Sequence, residues 1–521
     1  MRKLRLGFFC TPVAGAASIR EGRFGHAWVL SAVLLALLFA APKVVNAEQQ
    51  RTVLVGANLI DGTGAAPLNA SRIVIADGRF TCVSGPDGCP AMAGDRELDV
   101  SGTWITPGLM DTHVHPRPET DPGKMATDMA LRFAFGITTV RGAGSGELEA
   151  ILEERKRASA PELAVPRIVV SARPLEIYAE RYSVKTGSEL VRYLVALGVD
   201  AIKIKDHTST ELWQEEVRTA SELGIPVWGH AYDSIGPPPR AVTRPAIALG
   251  LNGIAHLSWV APFCQKSGYE VTPRPEGIEL HEWRKSYWLT TDTACVDALI
   301  KDVVQAGVWL EPNLVSEWYW WGRDLNPPPE LAFLRKLPPR LKDMVTGRDP
   351  LAEPTPATFP RFYPAMAAFV LRFHEAGGML IAGADGLRPG LDLHAEMKLF
   401  REAGLTPMES LQTATRNAAI ALGRNDLGTV EPGKLADAVI YTSDPLDPAG
   451  SSLNVQSVVK QGVIHATDPL LATFREAYRD KMRKLWRKRA LRLLGLIAVL
   501  TVAGLAGFWA YRRLSRRRER Q

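Results

Sequence analysis

The stretch Trp104-Ile-Thr-Pro-Gly-Leu-Met-Asp-Thr-His-Val-His115 decides how the chain is read. It is largely apolar and ends in two histidines one residue apart. Side chains alternate faces along a strand, so His113 and His115 point to the same side. Neutral imidazole is a good ligand for a divalent metal. The stretch therefore predicts a buried strand with half a metal site at its mouth. One such pair among ten histidines can arise by chance, so its weight depends on what the rest of the chain supplies.

Seven further runs of the same texture follow, at 137–141, 167–172, 201–205, 227–230, 253–257, 308–312 and 379–383. Helical or loop stretches separate them. Apolar runs alternating with helices indicate parallel strands covered on both faces. Eight such units predict an α/β chain with a (β/α)8 TIM barrel over 107–422, its active site at the C-terminal strand ends. Shorter strand-and-turn segments flank it, with Asp77-Gly78 as a hairpin signal and Lys460-Gln-Gly462 as a second turn. Residues 48–106 and 423–468 are expected to form one composite β-sandwich domain. Two excursions, 259–295 and 317–362, follow strands and should rim the site. The second carries Trp318-Tyr-Trp-Trp321, which suggests an apolar or aromatic substrate group.

The net charge of +6 is unevenly spread. Residues 1–47 carry +5 and residues 475–521 carry +12, so the body between them is net −11. An acidic body is a poor binder of polyanions, and nucleic acid is excluded as a partner. The basic ends suit a membrane. At 1–47, a basic leader, the apolar run 27–41 and Val45-Asn-Ala47 read as a signal peptide. At 493–511, nineteen uncharged residues predict a transmembrane helix, between a basic juxtamembrane segment (469–492) and a basic cytoplasmic tail (512–521). The catalytic body is then exported, periplasmic or extracellular, and anchored to the membrane. Cys82 and Cys89 bracket a turn and could bridge, with Cys264 and Cys295 as the second pair; four free thiols are an equal reading.

The strand ends collect residues of one chemical kind. The first gives His113 and His115, the fourth Lys203 and Lys205, the fifth His230, the sixth His256 and the eighth Asp385. Together they describe a metal site of imidazole nitrogens and carboxylate oxygens.

At these residues the chain resembles the metal-dependent amidohydrolase superfamily, its imidazolonepropionase-like and prolidase-like members in particular. The resemblance spans about 52–467. It runs through Pro107-Gly-Leu-Met-Asp-Thr-His-Val-His115, Gly136-Ile-Thr-Thr-Val-Arg141 and Gly198-Val-Asp-Ala-Ile-Lys203. It continues in Gly383-Ala-Asp385, Leu411-Gln-Thr-Ala-Thr-Arg-Asn417 and Gly428-Thr-Val-Glu-Pro-Gly-Lys-Leu-Ala-Asp437. It implies two divalent metal ions, zinc by preference. His113, His115 and Asp385 would hold one and His230 and His256 the other, with carboxylated Lys203 bridging them; Lys205 is the alternative bridge. A metal-activated hydroxide would attack a small amide, dipeptide or cyclic amide, and Asp385 would carry its proton to the leaving amine.

Tyr232 and His394 are the candidate substrate contacts, with Arg181 and Tyr182 behind them. Where many relatives have Gly-Gly-His, this chain has Pro174-Leu-Glu-Ile-Tyr-Ala-Glu-Arg-Tyr182. Gly142 stands in place of an Asp and Ala418 in place of a Pro. No ligand is lost, but the first two departures sit where substrate is read. A lactonase or esterase on the same site is the near alternative, and a non-catalytic membrane-anchored binding protein the distant one. A homo-oligomer is compatible with the sequence.

Overall fold

The computed structural model describes residues 51–118, 122–144, 147–173, 186–204, 210–230, 232–233, 240–241, 243–257, 260–269, 286–319, 359–386, 388–447, 453–472, 483, 487, 501 and 503–511. The expected signal peptide at 1–47, Lys205, Arg181, Tyr182 and the tail at 512–521 lie outside them, as does most of 469–492.

The first strands are β1 (Thr52–Leu59), β2 (Leu68–Ala76), β3 (Arg79–Ser84), β4 (Arg96–Asp99) and β5 (Trp104–Pro107). Asp77 and Gly78 both take positive φ, 51° and 70°, and join β2 to β3 in a two-residue turn whose twist suits a hairpin. A Cys82–Cys89 disulfide closes the turn that follows. The chain then builds a parallel set: β6 (Leu109–Val114), β7 (Ile137–Ala143), β8 (Arg167–Ala172), β9 (Ala201–Ile204) and β10 (Val227–Gly229). A short hairpin, β11 (Tyr232–Asp233) with β12 (Arg240–Ala241), precedes β13 (Gly253–Ala255) and β14 (Trp309–Glu311). Finally β15 (Ala438–Tyr441), β16 (Val455–Lys460) and β17 (Val463–Ala466) return to the first strands. They complete one eight-stranded sheet in the order β17-β16-β15-β5-β1-β2-β3, with β4 against β1.

The parallel strands are buried along their whole length, as strands covered on both faces must be. Their outward side chains (Leu109, Val140, Ile168, Ile202) join one apolar core with the flanking helices, among them α1 (Pro122–Ala134), α2 (Leu148–Ala158) and α3 (Gly187–Ala196). On the other face a separate cluster packs Trp228 and Trp309 against Ala143, Ala201, Ala255 and Ile381. Small residues on neighbouring strands leave room for the two indoles. A second disulfide, Cys264–Cys295, ties the loop after β13 to the following helix.

Two expectations need correction. The parallel sheet has seven strands, β6-β7-β8-β9-β10-β13-β14, rather than the eight of a regular (β/α)8 barrel. The run at 104–113 is two strands, not one. At Gly108 the backbone leaves the flanking sheet, where its N–H donates to Asp437, and Leu109 bonds to Gly136 of the parallel set. The eighth run, 379–383, is not a strand and keeps a single bridge, Leu310 to Leu380. Its backbone still bonds to both neighbours, Ile381 N to Leu310 O (3.0 Å), Thr112 N to Ala382 O (3.1 Å) and Asp385 N to His113 O (2.9 Å), and side chains satisfy further groups. Asn313 Nδ2 donates to Gly383 O (2.8 Å), Asn417 Nδ2 to Leu380 O (3.0 Å), and Ala384 N to Asp111 Oδ1 (2.9 Å).

The transmembrane expectation also falls. Among the described residues no helix is long and apolar enough to cross a membrane. Of 493–511 only 501 and 503–511 are described, as helix; the rest of the expected span lies outside the described residues.

A lysine ties the flanking sheet to the loop after α2, beside an Arg167–Asp437 ion pair (2.7 Å) that joins it to β8. Lys460, at the end of β16, donates through Nζ to the carbonyls of Ala158, Ala160, Leu163 and Val165 at 2.8–3.2 Å. His465 Nε2 donates to Pro161 O in the same loop (2.9 Å).

Candidate metal centre

His113 is the last but one residue of β6 and is fully buried; His115 lies just past the strand and is exposed. Strand alternation turns both toward Asp385. His115 Nε2 is 3.1 Å from Asp385 Oδ1 and His113 Nε2 is 3.9 Å from it. His256, one residue past β13, places Nε2 3.9 Å from Asp385 Oδ2. His230, one residue past β10, meets His256 ring to ring at 4.9 Å. Lys203, in β9, brings Nζ to 2.8 Å from His113 Nε2. The structure thus brings the six expected ligand residues into one cluster. Within it, ligand atoms of His113, His256 and Asp385 all lie within 4.8 Å of one another.

Backbone geometry at these positions is unusual. His256 and Asp385 take positive φ, 65° and 41°, as does Asn313 at 53°. Non-glycine residues pay of order 1–3 kcal/mol for such conformations, and they gather where function fixes the side chain. Asp385 is held there by its own N–H, which donates to His113 O (2.9 Å). Ser316 Oγ, from α7 (Leu314–Tyr319), lies 3.5 Å from Asp385 Oδ2. Glu396 secures that helix: its two oxygens accept from Leu314 N and Val315 N (2.8 and 2.6 Å).

The electrostatics are those of a dry cluster that wants a cation. Burial, helped by Lys203, holds the His113 imidazole well below its ordinary range, so it is neutral and can ligate. Burial does the same to His256. Burial would raise Asp385, yet the three imidazoles around it bring it well below the usual carboxylate range. A neutral-imidazole and carboxylate donor set converging this closely fits a divalent metal of the zinc type.

Sequence reasoning passed over the layer beneath. Glu311, at the end of β14 and fully buried, touches His113 Nδ1 with one oxygen and Arg141 with the other. Asp111 is salt-bridged to Arg132 and caps Ala384; burial raises it to about 6. A charged residue inside the apolar run 308–312 was the available signal for Glu311. Its partner on strand β7 could not be read from spacing.

The candidate substrate contacts fall differently. The backbone of Tyr232 is described, in β11, but its side chain is outside the described residues. His394, on α9 (Leu391–Ala403), is buried and gives its Nε2–H to Phe135 O at 2.8 Å. Burial lowers it to about 4, so it is neutral. The aromatic stretch at 318–321 lies outside what can be described of side chains.

The chain is similar to known proteins in sequence and fold. The sequence pattern of the amidohydrolase family matches residues 370–466. Imidazolonepropionase of Cupriavidus necator is 25% identical over 473 residues, covering 82% of this chain and 98% of that protein. Its counterpart in Pseudomonas putida is 24% identical over 423 residues, 74% of this chain and 90% of its own. Among solved structures, a Xaa-Pro dipeptidase with methionine in its active site superposes with a TM-score of 0.55 at 19% identity, over 80% of this chain and all of the other. Molinate hydrolase superposes with a TM-score of 0.57 at 20% identity, over 81% and 95%. The ligand cluster, the family pattern over 370–466 and the imidazolonepropionase likenesses support an amidohydrolase superfamily member, a hydrolase acting on carbon–nitrogen bonds.

Proposed function

We propose that the protein hydrolyses the C–N bond of a small amide, dipeptide or cyclic amide at a centre of two divalent metal ions, most simply zinc. His113, His115 and Asp385 would hold one ion, His230 and His256 the other, with Lys203 carboxylated between them. The observation that carries this reading is the convergence of all six residues on one cluster, with His113, His256 and Asp385 mutually within 4.8 Å. When bound, such ions polarise a carbonyl and lower the pKa of water. Asp385 is the proton carrier. Its Oδ1 faces His115 and His113 and its Oδ2 faces Ser316 and His256, so it can receive a proton and return it to a departing amine. Lys203 must lose its cationic character to ligate, which carboxylation accomplishes.

Tyr232 is proposed to meet the substrate from the mouth. His394, with its Nε2–H committed to Phe135 O, is proposed to shape the pocket wall through α9. The names of the relatives, imidazolonepropionase and Xaa-Pro dipeptidase, place cyclic amides and dipeptides first among substrates to try. We also infer that the body works outside the reducing cytosol, a reading that the two disulfides support.

The test is metal analysis of the purified full-length chain, followed by a panel of dipeptides, N-acyl amino acids, cyclic amides and lactones. Bound divalent metal with amide hydrolysis is expected. No bound metal and no turnover on any member of the panel would sink the proposal.

A further inference from the structure

His113 has two ring nitrogens in different surroundings. Nε2 faces the cluster, toward Lys203 Nζ at 2.8 Å and Asp385 Oδ1 at 3.9 Å. Nδ1 faces away, onto a carboxylate oxygen of Glu311. An ionised carboxylate can only accept, so the ring proton belongs on Nδ1 and the lone pair on Nε2. Glu311 is fully buried and meets no solvent, so it is not placed to touch a substrate. Its own charge is answered on every side. Arg141 Nη2 pairs with Oε2, Asn313 Nδ2 donates to Oε1 at 3.1 Å, and Thr112 Oγ1, which also reaches Ala382 O at 2.8 Å, lies 3.1 Å from Oε2.

Arg141 is equally fixed. Its Nε donates to Thr112 O at 2.8 Å, and its guanidinium lies 3.4 Å over the Trp228 ring and 4.9 Å from that of Trp309. Three strands of the parallel sheet thus meet at one carboxylate, β6 through Thr112 and His113, β7 through Arg141, and β14, which carries Glu311 itself, while β10 backs Arg141 with Trp228. A buried ion pair of this kind contributes little net stability compared with apolar packing, and breaking one side of it is costly. Its place directly behind a ligand atom gives it a different use.

We propose that Glu311 is a positioning residue of the metal centre, fixing His113 in the Nδ1–H tautomer so that Nε2 meets the metal, with Arg141 as its counter-ion. The inference rests on the metal centre proposed above. A carboxylate behind a ligating imidazole orients the ring and raises its basicity, and losing such a partner costs 10–100-fold in metal affinity.

The test uses the full chain, stripped of metal and titrated with Zn²⁺ or Co²⁺ against a competing chelator. Glu311→Gln should bind 10–100-fold more weakly and shift the visible absorption of the Co²⁺ form, while the metal-free protein still melts cooperatively. Glu311→Asp keeps the charge but draws the carboxylate back from His113 Nδ1, so it should weaken binding in the same direction by less than 10-fold. A folded Glu311→Gln variant with wild-type affinity and an unchanged Co²⁺ spectrum overturns the proposal. If that variant does not fold, Glu311→Asp decides: wild-type affinity and spectrum overturn it equally. A wild-type chain that binds neither ion instead overturns the metal centre itself.

Discussion

Asp385 combines an unfavourable backbone with the most heavily contacted carboxylate of the cluster. Its φ of 41° belongs to a region that Asn and Asp tolerate better than other L residues. Asp385→Asn should therefore keep the fold while removing both an anionic ligand and the proton carrier. Turnover is expected to fall by about 10²–10⁴-fold or more, with little change in the melting of the metal-free chain; retained turnover would argue against the role. His394 yields a pH prediction. Its ordinary value is 6.5 and burial holds it near 4. Between these values the unfolded chain binds a proton that the folded chain refuses, so stability is full above pH 6.5 and falls as pH drops toward 4. The loss amounts to about 3 kcal/mol across that window. In His394→Asn the slope of metal-free stability against pH between 6.5 and 4 should be shallower by that single proton, as followed by denaturant unfolding at stepped pH.

At the scale of elements, the segment 379–386 is where regular structure gives way to the site. A Cβ on Gly383 would come within 2.5 Å of Glu311 Oε1 and 2.8 Å of His113 Cβ. Gly383→Ala should push both aside, costing about 1–3 kcal/mol of stability by overpacking and weakening metal binding in the same chelator competition. An alanine variant with wild-type affinity would show that the segment has slack.

The grouping of the candidate ligands was legible, because five of the six sit in or just past strands of one sheet, Asp385 alone lying on the irregular segment 379–386. The alternation that paired His113 with His115 is a local property of one strand, and it survives folding. What spacing could not show was where sheets end. The run 104–113 looks continuous, yet Pro107-Gly108 passes the chain from one sheet to the other. The run 379–383 looks like a strand, yet its few backbone bonds to Leu310 and Thr112 are interrupted by side-chain partners, Asn313, Asn417 and Asp111, and no regular ladder forms. Glu311 stayed hidden for a related reason: its partners lie on strands far away in sequence, joined only by the order of the sheet. The uncharged tail at 493–511 matched a membrane span in length and composition alone, which is a weaker warrant than a described helix.

For the molecule as a whole, Lys460 is the tie between the flanking sheet and the loop that follows α2. Replacing it with methionine keeps the apolar stem and takes one donor from each of four carbonyls, of which Ala160 O and Leu163 O retain a backbone N–H. At 1–3 kcal/mol for each buried polar group left unmatched, Lys460→Met should lose about 3 kcal/mol or more in denaturant unfolding. Metal affinity should hardly change, since the tie is remote from the cluster; a matching loss of affinity would mean that the flanking sheet shapes the site.

The order β15-β5-β1 has a consequence in time. β5 and its neighbour β15 are about 330 residues apart in the chain. At roughly 5–20 residues per second of synthesis, about 15 to 65 s pass before β15 can arrive. Throughout that interval the growing chain displays an unpaired edge at β5, an invitation to aggregation. A nascent chain halted before residue 438 would keep that edge open indefinitely, so the last strands made are the ones that render the first ones safe.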